Sequence, residues 1–308
     1  MGILVTGGFG FLGARITDHL VQCGFDVVVG SRFLKEQRKV IFDEKALKLE
    51  FSSISKLKCA LVGIDTIIHC AGANSHSCEQ NPNAEIKNAK VHASNLLAAS
   101  LCENVKKIIT ISSVNVYDQS EGVKNETSEI FNKTPYALSK LAMEKAFLGN
   151  RDKRLETVIC RVSSSYGVPI FKGLNTTEGL INKFCSEAIS GNQINLKKPH
   201  LTRDFIPVEN ICVAVEKLIK LTLPNKPNEI INICSGQQLS LLQMASLIKS
   251  RCKFHFNRDP KIILGDAENK KGPIYSNKFA ASIGIEFDID HKREIDKLLV
   301  YYWGNYDR

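Results

Sequence analysis

A short apolar strand that runs into Gly7-x-x-Gly10-x-x-Gly13 leaves a chain few ways to fold. Ile3, Leu4 and Val5 have the continuous apolar character of a strand buried on both faces of a parallel sheet. The glycines permit a tight turn, close backbone approach to a pyrophosphate and close packing of the next helix on the sheet. A helix over about 11–23 then turns its N-terminal amides and the positive end of its dipole toward the phosphates. Gly7, Gly10, Phe11, Leu12 and Gly13 are therefore expected to cradle a dinucleotide. The spacing differs from the G-x-G-x-x-G of many dehydrogenases, and a glycine cluster alone also fits a plain turn. The strand before it and the helix after it select the nucleotide reading.

The first two-thirds of the chain alternates strand and helix. Strand-like runs lie at 3–5, 26–29, 46–51, 66–69, 107–112 and 157–161, and another at 230–234. Helical patterns fall between them, notably at 82–103 and 135–149. This alternation predicts an α/β fold: a Rossmann-type doubly wound parallel sheet with a smaller mixed C-terminal lobe. Residues 1–167 and about 205–235 form the expected dinucleotide-binding domain. Residues from about 168–204 and 236–308 form the expected substrate lobe, packed on the first without a Pro/Ser/Gly linker.

Composition narrows the class. With 308 residues, 44% hydrophobic and 24% charged, the chain is of ordinary globular make-up with ample core. No apolar run approaches the roughly 20 residues of a membrane span, and no basic leader with a cleavage site is visible. The ten cysteines are scattered singly, with no C-x-x-C pair and no metal-ligand spacing, so no metal is expected. Cys70, Cys160 and Cys234 read as buried free thiols, and a reducing cytoplasm is the expected location. The formal charge of +9 is spread over short pairs such as Lys106-Lys107, Lys197-Lys198 and Lys270-Lys271. That pattern suits anionic small molecules better than nucleic acid, which is not expected as a partner.

The residue closing the second strand normally meets the adenosine ribose, where an acid selects NAD. Here Ser31 and Arg32 stand there, with Lys35 and Arg38 beyond. Arginine offers a fork of donors to a 2′-phosphate and a face to adenine, which favours NADP over NAD. The strand ending His69-Cys-Ala71-Gly72 finishes in small residues that let a cofactor lie close. Asp65 is expected to cap or turn the start of that strand, and His69 to be a satisfied core histidine.

Tyr136 and Lys140 are four apart, on one face of a helix. An ammonium beside a phenol favours its ionised form, so the pair suits proton exchange near neutral pH. Alone, Tyr-x-x-x-Lys is a weak signal in a lysine-rich chain. Its companion is a strand ending in Ser112-Ser113, at the carboxyl edge where open α/β sheets bind ligands. Ser113, Tyr136 and Lys140 together suit hydride transfer at a carbinol or ketone carbon, with the cofactor supplying the hydride.

These pieces resemble an extended short-chain dehydrogenase/reductase of the nucleotide-sugar epimerase/dehydratase family, over essentially the whole chain. The resemblance rests on 6–13, the His69–Gly72 strand end, Asn95-Leu-Leu-Ala-Ala99, Ser112–Tyr117, Tyr136-x-x-x-Lys140, Arg161–Gly167 and Arg203–Val208. It implies catalytic roles for Ser113, Tyr136 and Lys140. It implies a substrate site at Ser113, Asn115, Ser164 and Arg203, where Arg203 matches an arginine that grips a nucleotide-sugar diphosphate. Lys270 and Lys271 are further candidates for the diphosphate. A homodimer is implied through the helices near 84–103 and 136–149, with Leu96, Leu97, Leu101, Leu141 and Phe147 as apolar material that core packing also claims.

The departures matter. The 4,6-dehydratases of this family carry an acid pair after the catalytic hydroxyl; Val114 and Asn115 cannot serve elimination. Ser164 replaces a usual asparagine, and Val162 a frequent proline. Ala89 stands where an asparagine is usual, with Asn88 beside it. No aspartate is evident after the third strand, where Glu50–Ser53 lie. The leading expectation is an NADP-dependent 4-keto-sugar reductase or 4-epimerase. Two alternatives remain: a reductase of a non-sugar carbonyl, which would leave Arg203 unused, and a non-catalytic NADP sensor or scaffold on this fold.

Overall fold

The computed structural model describes residues 1–33, 45–171, 179–222, 228–265 and 271–306. Its centre is a seven-stranded sheet. From one edge to the other the strands are Asn228–Ile233, Glu156–Val162, Lys107–Ser113, Ile64–His69, Gly2–Thr6, Asp26–Ser31 and Ala46–Lys48. Every neighbouring pair is parallel. Chain order reverses between Gly2–Thr6 and Ile64–His69, which opens a crevice at the carboxyl ends of those strands. The expected doubly wound α/β architecture is the one observed.

Alternation along each strand feeds two cores. Ile3 and Val5 face one side with Ile16 and Leu20 of the Phe11–Gln22 helix and Ile211 and Val215 of the Val208–Lys220 helix. Leu4, Ile67 and Ile108 face the other, against Leu57 of the Ile54–Ala60 helix, Leu96 of Pro82–Cys102 and Phe147 of Pro135–Leu148. A third core packs Ile181 and Phe184 of the Leu180–Ser190 helix with Ile248 of Leu241–Phe256 and Leu298 of His291–Tyr306.

Two local expectations are corrected. The third strand stops at Lys48 instead of continuing to Phe51. Leu49 and Phe51 are buried as the chain turns, and Ser53 caps the next helix by accepting from the Lys56 amide. Asp65 does not cap or turn the start of its own strand. It lies inside its strand and accepts a bond from the Gly2 amide at 3.1 Å, tying two central strands together.

Candidate active site

The glycine turn has the geometry of a cradle. Gly7 has φ +67°, and a Cβ there would lie 2.8 Å from the Ala71 amide nitrogen. A Cβ on Gly13 would lie 2.3 Å from the Gly7 carbonyl oxygen. The Gly10 amide donates to the Gly7 carbonyl at 2.8 Å, closing the turn, and Gly10 precedes the helix without a side-chain cap. Unclaimed amides at a helix start beside a crevice fit a pyrophosphate. Phe11 and Leu12 turn their side chains onto the core, so only their backbone is placed for such a role.

Beside the cradle lies a cleft of about 240 Å³ lined by Arg32, Phe51, His69, Ala71, Gly72, Glu85, Asn88, His92 and Lys140, among others. Arg32 is exposed at its rim. The Ser31 hydroxyl donates to the Phe33 carbonyl at 2.9 Å and accepts from the Phe33 amide. Lys35 and Arg38 lie outside the described residues. Phe51 and His92 stack with centroids 5.2 Å apart, an aromatic wall where the sequence showed no aspartate. His92 is pushed below its ordinary pKa by burial and then by the charge of Arg32.

His69 is a core histidine, as its apolar run suggests, yet it also borders the cleft. Its Nδ1 lies 2.8 Å from the Thr6 hydroxyl, and Phe51 and Phe147 meet its ring edge-on. Burial, then the charges of Lys140 and His92, push its pKa down to about 3.

Thr134 accepts from the Ala137 amide and Pro135 takes the first position, so the Pro135–Leu148 helix begins just before Tyr136. The Lys140 ammonium lies 5.7 Å from the centre of the Tyr136 ring and donates to the Ile111 carbonyl at 3.1 Å. That bond ties the Tyr/Lys helix to the strand ending in Ser113. Ser113 is the last residue of that strand, and its hydroxyl accepts from the Asn115 amide at 3.2 Å, starting a single helical turn at Val114–Val116. This turn packs on the Tyr/Lys helix.

The next cleft, about 200 Å³, is lined by Val114, Asn115, Gln119, Ser164, Arg203, Lys271 and Tyr275. It gathers Asn115, Ser164 and Arg203 from segments far apart in sequence. Lys271 joins them; Lys270 lies outside the described residues. Arg203 opens onto the cleft, and burial at its wall lowers the guanidinium below its ordinary range. The adjoining Asp204 turns inward and accepts from the Ser235 and Gly236 amides at 2.9 Å each, while burial pushes its carboxyl up. Tyr136 and Ser113 line neither cleft; Ser113 directly precedes Val114 of the second, and Tyr136 lies one helical turn before Lys140 of the first.

Below this floor is an ion pair that no local motif announces. Arg161 binds Glu144 with two bonds, 2.7 and 3.1 Å, and both side chains are 1% exposed. Ser112 donates to the same carboxylate, and the guanidinium lies 4.8 Å over the Tyr117 ring. The Tyr117 hydroxyl donates to Asn232 at 2.7 Å. Gln119, His92 and Tyr275 also line the clefts without a sequence signal, because three-dimensional neighbourhood alone selects them.

The five apolar residues assigned to both core and dimer are engaged within the chain. Leu96 and Phe147 are fully buried, Leu97 and Leu101 pack against the same cluster, and Leu141 packs on Val114 and Val116. Val91 (38% exposed) and Leu138 (37%) remain on the outer faces of the two helices. Among the described residues, no helix is long and apolar enough to cross a membrane.

The sequence model of the NAD dependent epimerase/dehydratase family matches residues 3–234. A Methanocaldococcus jannaschii protein provisionally named UDP-glucose 4-epimerase is 27% identical, covering 98% of this chain and 99% of its own. The dTDP-glucose 4,6-dehydratase of Streptomyces niveus is 25% identical over 82% of this chain and 78% of its own. The protein MoeE5, solved in complex with UDP-glucose and NAD, superposes with a TM-score of 0.81 at 19% identity, covering 100% of this chain and 99% of that one. With its glycine cradle and seven parallel strands, the chain belongs to the NAD-dependent epimerase/dehydratase family.

Proposed function

We propose that this protein is an NADP-dependent oxidoreductase that transfers hydride at a carbinol or keto carbon of a nucleotide-diphosphate sugar, as a 4-keto-sugar reductase. The observation that carries the reading is the pairing of two clefts at the carboxyl ends of two neighbouring parallel strands, Ile64–His69 and Lys107–Ser113. Lys140 borders the first, which also holds Arg32, Ala71 and Gly72, and Asn115, two residues beyond Ser113, borders the second with Arg203 and Lys271. Two cations in a concave wall suit a diphosphate, as UDP-glucose in MoeE5 illustrates for the class of ligand.

The nicotinamide cofactor, when bound, supplies the hydride chemistry. The protein's residues do the rest. Gly7, Gly10 and Gly13, with the amides that follow, hold the pyrophosphate. Arg32 receives the ribose 2′-phosphate. Lys140 hydrogen-bonds the nicotinamide ribose and favours the phenolate of its helix neighbour. Tyr136 gives a proton to, or takes one from, the sugar oxygen, and Ser113 hydrogen-bonds that oxygen. Arg203 and Lys271 hold the diphosphate, with Asn115 and Ser164 beside the sugar. Val114 and Asn115 offer no acid for elimination, which sets the chain apart from a 4,6-dehydratase. The 168–204 and 236–308 segments serve as the substrate lobe.

A second reading, 4-epimerization, is favoured by the full-length M. jannaschii relative. It returns the hydride to the opposite face and consumes no cofactor. Calorimetric titration of cofactor-stripped protein with NADP and NAD, with mass spectrometry of any copurified dinucleotide, separates the two. Preferred, exchangeable NADP supports the reductase; tightly retained NAD overturns the Arg32 argument and supports the epimerase. Binding of neither overturns both, and binding without turnover of any nucleotide sugar leaves the sensor reading.

A further inference from the structure

Away from both clefts, the Phe11–Gln22 and Val208–Lys220 helices pack side by side on the same face of the sheet. Near their C-terminal ends three ligating side chains meet. His19 and Cys23 stand one helical turn apart, and Glu216 comes across from the neighbouring helix. Nε2 of His19 lies 2.8 Å from Oε2 of Glu216. The Cys23 sulfur lies 3.5 Å from the same oxygen and 3.7 Å from the same nitrogen. In a tetrahedral zinc site, bonds of about 2.0 Å to nitrogen and oxygen and about 2.3 Å to sulfur give ligand-to-ligand edges of about 3.3–3.6 Å. The two edges to sulfur match closely, and the third, a direct hydrogen bond at 2.8 Å, must open by roughly 0.5 Å through a small rotation of the Glu216 carboxylate as the ion enters.

We propose that His19, Cys23 and Glu216 form a binding site for a zinc-like divalent cation, with the fourth position open to water. One imidazole, one thiolate and one carboxylate suit zinc or cobalt and disfavour magnesium or calcium. The Glu216 side chain is held in place by Lys220 and His19. Lys220 occupies Oε1 at 2.6 Å and leaves Oε2 facing the other two ligands. A thiol must give up its proton to ligate a metal. Binding therefore forms a metal–sulfur bond, breaks the S–H bond and releases one proton to solvent, with no redox change. Sequence spacing concealed the site because Glu216 is 197 positions from His19.

The site lies a helix length from the glycine cradle, roughly 15 Å at 1.5 Å per residue, so it staples two helices and takes no part in the chemistry. The test is a cobalt(II) titration of the reduced, full-length protein. The expected result is one saturable equivalent with tetrahedral visible bands and a near-ultraviolet thiolate-to-cobalt band, displaced by zinc. Cys23→Ser loses the thiolate band and Glu216→Gln weakens binding, while both keep the circular dichroism of the metal-free protein. Zinc raises the melting temperature of the unaltered protein and not that of Cys23→Ser. Absence of saturable binding overturns the proposal. So does a thiolate band that persists in Cys23→Ser, which would place the ion on exposed Cys59 or Cys102.

Discussion

Tyr136 and Gly13 make claims that single substitutions can test. If the phenol moves the proton, Tyr136→Phe lowers kcat by at least about 100-fold, the ordinary worth of a positioned acid or base. The dissociation constant for NADP changes little, as calorimetry beside steady-state kinetics would show. A sensor would register no loss. Gly13→Ala acts through space: its methyl would lie 2.3 Å from the Gly7 carbonyl oxygen, so the turn must open. Dinucleotide affinity should then collapse while the circular dichroism spectrum survives; unchanged affinity would remove Gly7–Gly13 from the cofactor site. Both residues were legible in the sequence because their roles depend on spacing along one element. His92 was not, since its place beside Phe51 depends on how a helix meets the turn after the third strand.

Between elements, the Arg161–Glu144 pair joins the Glu156–Val162 strand to the helix that carries Tyr136 and Lys140. Removing one partner strands the other charge in the core. Glu144→Ala should cost roughly 3–5 kcal/mol, read as a lower midpoint in urea. The double variant Glu144→Leu/Arg161→Met should recover much of that loss. If the double variant is as unstable as the single, the pair supplies more than charge balance. Strand and helix positions were readable from alternation and glycine punctuation, and the main departure came at 46–51. There, buried Leu49 and Phe51 looked like strand but belong to a turn, because apolar character reports burial and not backbone path. The apolar positions of the 82–102 and 135–148 helices read equally well as core or dimer face, and the core engages the five named. We propose that any homodimer uses the faces bearing Val91 and Leu138; Val91→Glu/Leu138→Glu would then shift sedimentation from dimer to monomer.

For the molecule as a whole, acid sensitivity follows from the neutral histidine that borders the first cleft. His69 has a folded pKa of about 3 against an ordinary value of 6.5, so between those values the unfolded chain binds the extra proton. Its contribution is fully present above about 6.5 and is lost as pH falls toward 3, by up to about 1.4 kcal/mol per pH unit. Stability measured by denaturant from pH 7 to 4 should fall less steeply in His69→Gln than in the parent protein; identical slopes would assign the acid limb elsewhere. The family, the sheet and the cradle could be read from the chain, whereas the clefts could not, because they join segments near 72, 115, 203 and 271 that only the completed fold assembles. That assembly also sets an order of events during synthesis on the ribosome. The Leu180–Ser190 helix waits for its packing partner His291–Tyr306 until about a hundred further residues have emerged. In that interval Ile181 and Phe184 lack one wall of their core, and apolar surface left open in a nascent chain favours aggregation.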